Sequence, residues 1–166
     1  MAIHKTAGAK VYILTTAVDP NVINAYGTDA SAIAYFTALS GWIEIEEVEN
    51  LGSIGDQSNP INFTSINNRR TRALKGPRDA GTHQIVCGRD PLAAGQIAMM
   101  TAQATDYNFP FRVTLADIPP GTTTPTQMYY AGMVMSDPTN LADVNAVTRR
   151  DFNVKINTKL YEIAAV

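Results

Sequence analysis

Alternating apolar and polar residues dominate this chain, and the alternation reads as strands. Lys10 to Val18 is β-branched and aromatic, and Asp19, Pro20 and Asn21 stop it. Asp29 to Leu39 is Ala-rich and fits either a short helix or an irregular crossing. Gly41 opens a second strand, Trp42 to Leu51, with Ile43 and Ile45 on one face and Glu44 and Glu46 on the other. The consecutive Glu46 and Glu47 break that alternation, which predicts a bulge or a strand leaving the core. Thr82 to Gly88 is the next strand. Later, Phe111, Val113 and Leu115 alternate with Arg112 and Thr114, and Gln127 to Met135 places Tyr130 and Val134 on one face. Pro119 to Pro125 is a turn and Asp137 to Asp143 a loop. Val144 to Thr158 is one long strand or two, with Phe152, Val154 and Ile156 alternating against Asn153, Lys155 and Asn157.

One segment has a helical period instead. Leu92, Ala93, Ile97, Met100 and Ala104 recur near helical spacing, with Asp90 as N-cap and Pro91 at the first helical position. The pattern predicts a helix over residues 91–105, with Met99 and Met100 filling gaps in the core. Between the strands, Gly52 to Gly81 is a long polar stretch punctuated by glycine and proline, with a short strand-like piece from Ile61 to Ile66. A connection of this length is functional or disordered, and its varied composition favours a loop ordered by a partner. The order of elements predicts a mainly β fold: an antiparallel β-sandwich or partial barrel with one flanking α-helix and a long extended loop. At 166 residues the chain is most simply a single domain.

Charge changes this picture. Charged residues make up 17% of the chain and the formal net charge is -2, yet two opposed clusters stand out. Glu44, Glu46, Glu47 and Glu49 lie on the predicted second strand. Arg69, Arg70, Arg72, Lys75 and Arg78 lie on the long loop, five of the 13 basic residues within ten positions. Such a local dipole on a nearly neutral chain points to recognition of a charged surface, including a copy of the chain itself.

Other chemistry finds little support. His83 and Cys87 share a strand face, but four residues separate them by roughly 13 Å, too far for a thiolate–imidazole pair. A half-buried Cys and an edge His describe them better. Gly52 to Gly55 lacks the Lys and Ser or Thr of a phosphate-binding loop. Glu44 and Glu46 could be drawn as an acid/base pair of a small hydrolase or as calcium ligands, but no second element marks a cleft. The Arg cluster could neutralise phosphates, yet Ile66 to Gly81 holds no aromatic residue to stack a base. Arg149, Arg150 and Asp151 suggest a local ion pair at a strand edge. No cofactor is expected. The single Cys87 excludes an internal disulfide and a zinc set, and no apolar run is long enough to span a membrane. Met1 to Lys10 lacks the apolar core of a signal peptide, so synthesis in the cytoplasm is expected.

The order of these features resembles the tail tube (major tail) proteins of long-tailed bacteriophages with non-contractile tails. The residues that carry the resemblance are Gly41 to Gly52, the basic loop with Arg69 to Arg72, Lys75 and Gly76, and the predicted helix from Asp90 to Thr105. Phe111 to Asp117, Tyr130 to Ser136 and Asp151 to Asn157 follow. The likeness spans Lys10 to Thr158, and Pro20 to Ser40 departs from it by being long for a simple hairpin. It implies a virion structural protein, not an enzyme: β-sandwich subunits in hexameric rings that stack into a tube in the virion tail. Genome DNA passes through the lumen without specific binding, the long loop reaches the adjacent ring, and tape-measure, tail terminator and distal tail proteins are partners. Arg69, Arg70, Arg72, Lys75 and Arg78 become inter-subunit contacts, and the four Glu residues face an interface or the lumen. A tube subunit of a gene-transfer particle or type VI secretion system, or a capsid decoration protein, would share much of this pattern.

Overall fold

The structure is a computed structural model and describes residues 3–166. Met1 and Ala2, the start of the segment read for a signal peptide, lie outside the described residues. Eleven strands and three helices are present among the described residues. The strands are β1 (Lys10–Ile13), β2 (Ile43–Ile45), β3 (Val48–Asn50), β4 (Gln57–Thr64), β5 (Thr71–Asp79), β6 (Thr82–Gly88), β7 (Phe109–Thr114), β8 (Gln127–Ser136), β9 (Thr139–Asn140), β10 (Arg149–Ile156) and β11 (Tyr161–Ile163). The helices are α1 (Pro20–Asn24), α2 (Asp29–Ala38) and α3 (Ala94–Gln103). The fold is mainly β and antiparallel throughout, as the alternation predicts.

Nine strands form one sheet in the order β2-β1-β7-β8-β10-β6-β3, with β11 pairing β8 and β9 pairing β10. β2 and β3 therefore occupy opposite ends of the sheet path, yet only Glu46 and Glu47 separate them in sequence. In a flat sheet, seven strands would hold those ends about 29 Å apart. The three-residue step from Ile45 to Val48 spans at most about 11 Å. The sheet must curl into a half-barrel, and the Glu46–Glu47 corner joins its edges. The predicted continuous strand Trp42 to Leu51 is thus broken where its alternation breaks. Glu47 adopts a left-handed backbone (φ 57°), and its carbonyl accepts a 2.9 Å hydrogen bond from the Gly88 amide.

Strand periodicity decides which side chains enter the curl. Phe109, Phe111 and Val113 of β7 and Phe152, Val154 and Ile156 of β10 are buried on the inner face, with Val11, Ile45, Ile85, Cys87, Tyr130 and Val134. α3 packs into the same cluster through Ala98, Met99 and Ala102. Gly95 makes this approach possible: a Cβ there would lie 2.1 Å from the Glu44 carbonyl oxygen. The Gln96 side chain locks the helix to the corner, donating to the carbonyls of Gly88 (2.8 Å) and Glu46 (3.3 Å) and accepting from the Asp90 amide (3.2 Å).

The outer face of β8 carries a second cluster. Tyr129 and Ala131 pack with Tyr161, with Ile23 of α1 and with Ala32 and Phe36 of α2. Burial on both faces explains why Tyr129, Tyr130 and Ala131 are buried in succession. On the same side Arg112 is flattened between aromatics, its guanidinium carbon 4.2 Å from the Tyr12 ring centre and 5.0 Å from Trp42.

Several expectations need correction. The first strand ends at Ile13, not Val18, so the Asp19–Pro20 pair starts α1 instead of stopping the strand, with Asp19 accepting from the Asn21 amide at 2.9 Å. Asp29 to Ala38 is a helix, capped by Thr28. α3 begins at Ala94 rather than Pro91, because the Asp90 carboxylate bonds the Leu92 amide at 2.9 Å in a local turn that competes with helical capping. The last long strand shortens to β10, and β9 and β11 flank it as short additions.

Candidate functional site: a basic hairpin and an acidic corner

Residues 52–81 are not a loop over most of their length. β4 and β5 pair with each other from Gln57–Asp79 to Thr64–Thr71 and form a two-stranded sheet of their own, a hairpin standing off the half-barrel. Two residues, Gly76 and Pro77, stand opposite the single Asn59, where the register shifts. At the tip, Ser65 accepts from the Arg69 amide at 3.0 Å and Asn68 from the Arg70 amide at 3.1 Å, and Arg69 turns the chain with φ 49°. The strand-like piece Ile61 to Ile66 is thus only the outer half of β4 and the start of the turn.

The root of the hairpin is tied to the body. Lys155 donates to both carboxylate oxygens of Asp79 at 2.6 and 2.8 Å, and the Gly81 amide bonds the same group at 2.9 Å. The Lys155 contact and the Gly81 amide together hold the Asp79 carboxyl below its usual range. On the incoming side, between β3 and β4, Leu51 offers its carbonyl to the His83 ring at 2.7 Å. Gly52 follows with φ 58°, where a Cβ would meet the Gln84 carbonyl oxygen at 2.6 Å.

Register sorts the hairpin residues into faces. Arg72 stands directly across from Phe63, and Leu74 across from Ile61, so these four share one face. Lys75 lies on the opposite face across from Pro60, Arg78 is at the root across from Ser58, and Arg69 and Arg70 lie at the tip. Ile61, Phe63 and Leu74 are 54, 62 and 66% exposed, and Ile66 at the tip is 98% exposed. None of the five basic residues pairs with an acid among the described residues. The hairpin carries those five cations against one acid, Asp79, for a net charge of +4. The rest of the chain keeps eight basic and 14 acidic residues, a net charge of -6.

The acidic row does not form one surface. Glu44 on β2 accepts from Lys10 at 3.0 Å. Glu46 and Glu47 form the exposed corner. Glu49 on β3 pairs with Arg149, whose guanidinium keeps the Glu49 carboxyl below its usual range. Arg149 therefore bridges β10 to Glu49 rather than to Asp151, and Arg150 lies 3.8 Å from Asp137. β10 is also flanked by β6 and β8 rather than standing at an edge.

His83 is neither exposed nor at an edge, because β6 lies between β10 and β3. Its Nδ1 is 2.5 Å from the Tyr130 hydroxyl. Burial pushes its pKa down to about 4, against the opposing pull of the Leu51 carbonyl. Cys87 is fully buried, and burial, aided by the Asp151 charge, pushes its thiol up to about 12. Among the described residues no group of three His, Cys, Asp or Glu side chains is placed to hold a metal ion. No helix among them is long and apolar enough to cross a membrane.

No protein-family model and no curated protein sequence matches the chain. Solved structures do. A chain from the sheath/tube terminator of the extracellular contractile injection system PVC matches with TM-score 0.65, 8% identity and 99% coverage of both chains. A chain from the anti-feeding prophage baseplate matches with TM-score 0.64 and 10% identity over 99% of this chain and 98% of its own. The SPP1 tail tube matches with TM-score 0.60 and 10% identity, over 94% of this chain and 76% of its own.

This chain has the tail tube fold.

The apolar face of the hairpin includes Phe63, which precedes the aromatic-free stretch from Ile66 to Gly81. The signal was the period-two spacing of Ile61 with Phe63 and of Arg72 with Leu74, visible only once the two runs are paired.

Proposed function

We propose that the chain is a structural subunit of a bacteriophage tail tube. Copies close into hexameric rings, the rings stack, and genome DNA passes through the lumen without specific binding. The whole chain acts as one tube-forming unit without catalytic activity, made in the host cytoplasm and resident in the virion tail. Tape-measure, tail terminator and distal tail proteins meet the tube along and at the ends of its length.

One observation carries this reading. A chain with the tail tube fold projects a hairpin of net charge +4 from a body of net charge -6, and the five hairpin cations have no acidic partner among the described residues. Arg69, Arg70, Arg72, Lys75 and Arg78 reach acids of an adjacent subunit. Of the Glu row, Glu46 and Glu47 remain available to an interface or the lumen, since Glu44 and Glu49 are engaged within the subunit. A test is the triple reversal Arg69→Glu, Arg70→Glu, Arg72→Glu, followed by sedimentation velocity. The variant should fold and stay unassembled under conditions where the parent chain assembles. Unchanged assembly removes the hairpin from the interface.

The matches to injection-particle chains favour a second reading. The PVC and anti-feeding prophage chains agree with this one over nearly their whole length. The subunit would then build the tube, or its terminus, in an injection or gene-transfer particle. A sheath gene beside this one would select that reading, and a tape-measure gene without a sheath gene would select the non-contractile tail.

A further inference from the structure

The hairpin has an apolar face that its own subunit does not cover. Ile61, Phe63 and Leu74 project from a ribbon whose strands pair only with each other. A two-stranded ribbon with one bare apolar face is marginal in water until something packs against it. Arg72 shares that face.

A matching recess lies elsewhere on the body. Between β1, β7 and α3 is a groove of about 240 Å³ whose walls include Ile13, Ala17, Ala98, Ala102 and Phe109. Its volume is below the roughly 300–1,000 Å³ of small-molecule sites and suits one or two side chains. Through Ala17 and Tyr107 it continues into a shallow cleft that contains Asp19 and Asp106. No Lys or Arg lines either recess. Asp19 spends one oxygen on the Asn21 amide, and neither carboxylate is ion-paired among the described residues.

We propose that this groove receives the β4–β5 hairpin of a second copy of the chain, with Phe63 and its apolar neighbours in the groove and Arg72 facing Asp106 and Asp19 at the rim. The match is double: apolar face to apolar groove, and cation to acidic rim. Two different surfaces meet, so the contact is heterologous. Each copy docked leaves one free hairpin and one free groove, which propagates an assembly rather than closing a dimer. The inference rests on the tube-subunit reading above and adds the address of the hairpin to it.

The test mixes two pools of full-length protein, one carrying Leu74→Cys and the other Thr101→Cys, assembled together and treated with a short bis-maleimide. Thr101 lines the groove, and native Cys87 is fully buried. The expected result is a crosslinked pair on a denaturing gel from the mixture and not from either pool alone. Assembled particles without that crosslink overturn the groove as the address and leave the tube reading standing. Failure of the unsubstituted chain to assemble at all overturns both. Where a cysteine pool loses assembly that the unsubstituted chain retains, charge exchange decides. Arg72→Asp and Asp106→Arg should each lower the assembled fraction severalfold and restore it when combined, and absence of restoration overturns the proposal.

Discussion

His83 joins the buried core to the root of the projecting hairpin: its Nδ1 lies 2.5 Å from the Tyr130 hydroxyl and its Nε2 2.7 Å from the Leu51 carbonyl. With the ring neutral, one nitrogen donates to Leu51 and the other accepts from Tyr130. Protonation would place a cation in a buried position beside Tyr130 and across from Val154, with no acidic partner in its hydrogen bonds.

A pH dependence follows from that geometry. The folded pKa of His83, about 4, lies below the usual 6.5, so the unfolded chain binds more protons between those values. Stability from this group is full above about pH 6.5 and falls as pH drops toward 4, by on the order of 3 kcal/mol in all. Urea unfolding at steps from pH 7.5 to 4.5 should show the loss. His83→Gln, which can still donate to Leu51, should flatten it, and equal slopes in both proteins would show that His83 is not its source.

Gly95 sets how closely α3 approaches β2. A Cβ there meets backbone at Glu44, which cannot swing aside like the end of a side chain. Gly95→Ala should destabilise by about 2–3 kcal/mol in urea unfolding, although alanine favours helix. A neutral or stabilising result would place α3 farther from the sheet.

Cys87 should resist modification. Its burial and its thiol pKa near 12 leave almost no accessible thiolate at pH 8. Labelling with a thiol reagent should be slow in the native protein and rapid in denaturant. Fast native labelling would mean that β6 opens readily.

The hairpin should be the least protected part of the free subunit. Its amides are paired only across one ribbon, and its apolar face is exposed. Hydrogen exchange over residues 57–79 should be fast in the monomer and slow in the assembled state. Strong protection in the monomer would contradict a role for the hairpin as a partner-ordered arm.

The inner face of the fold was legible in the sequence because burial there follows strict period two. Phe111 with Val113, Tyr130 with Val134, and Phe152 with Val154 and Ile156 all enter one cluster. The Glu46–Glu47 break also marked a real feature, but not that β2 and β3 close opposite ends of a sheet, since closure depends on strand order. α1 was hidden because Asp19 and Pro20 read equally as a stop and as a cap. The hairpin was hidden by its polar composition and by the glycine and proline of its bulge, which read as loop. Its basic residues were found. Their apolar neighbours were not, because only cross-strand register brings Phe63 to Arg72.

Negative-stain electron microscopy of the concentrated, purified chain decides whether it builds a tube. Six-fold rings with a central opening, stacking into tubes as concentration rises, are the expected result. Particles that remain dispersed single subunits at every concentration would contradict it.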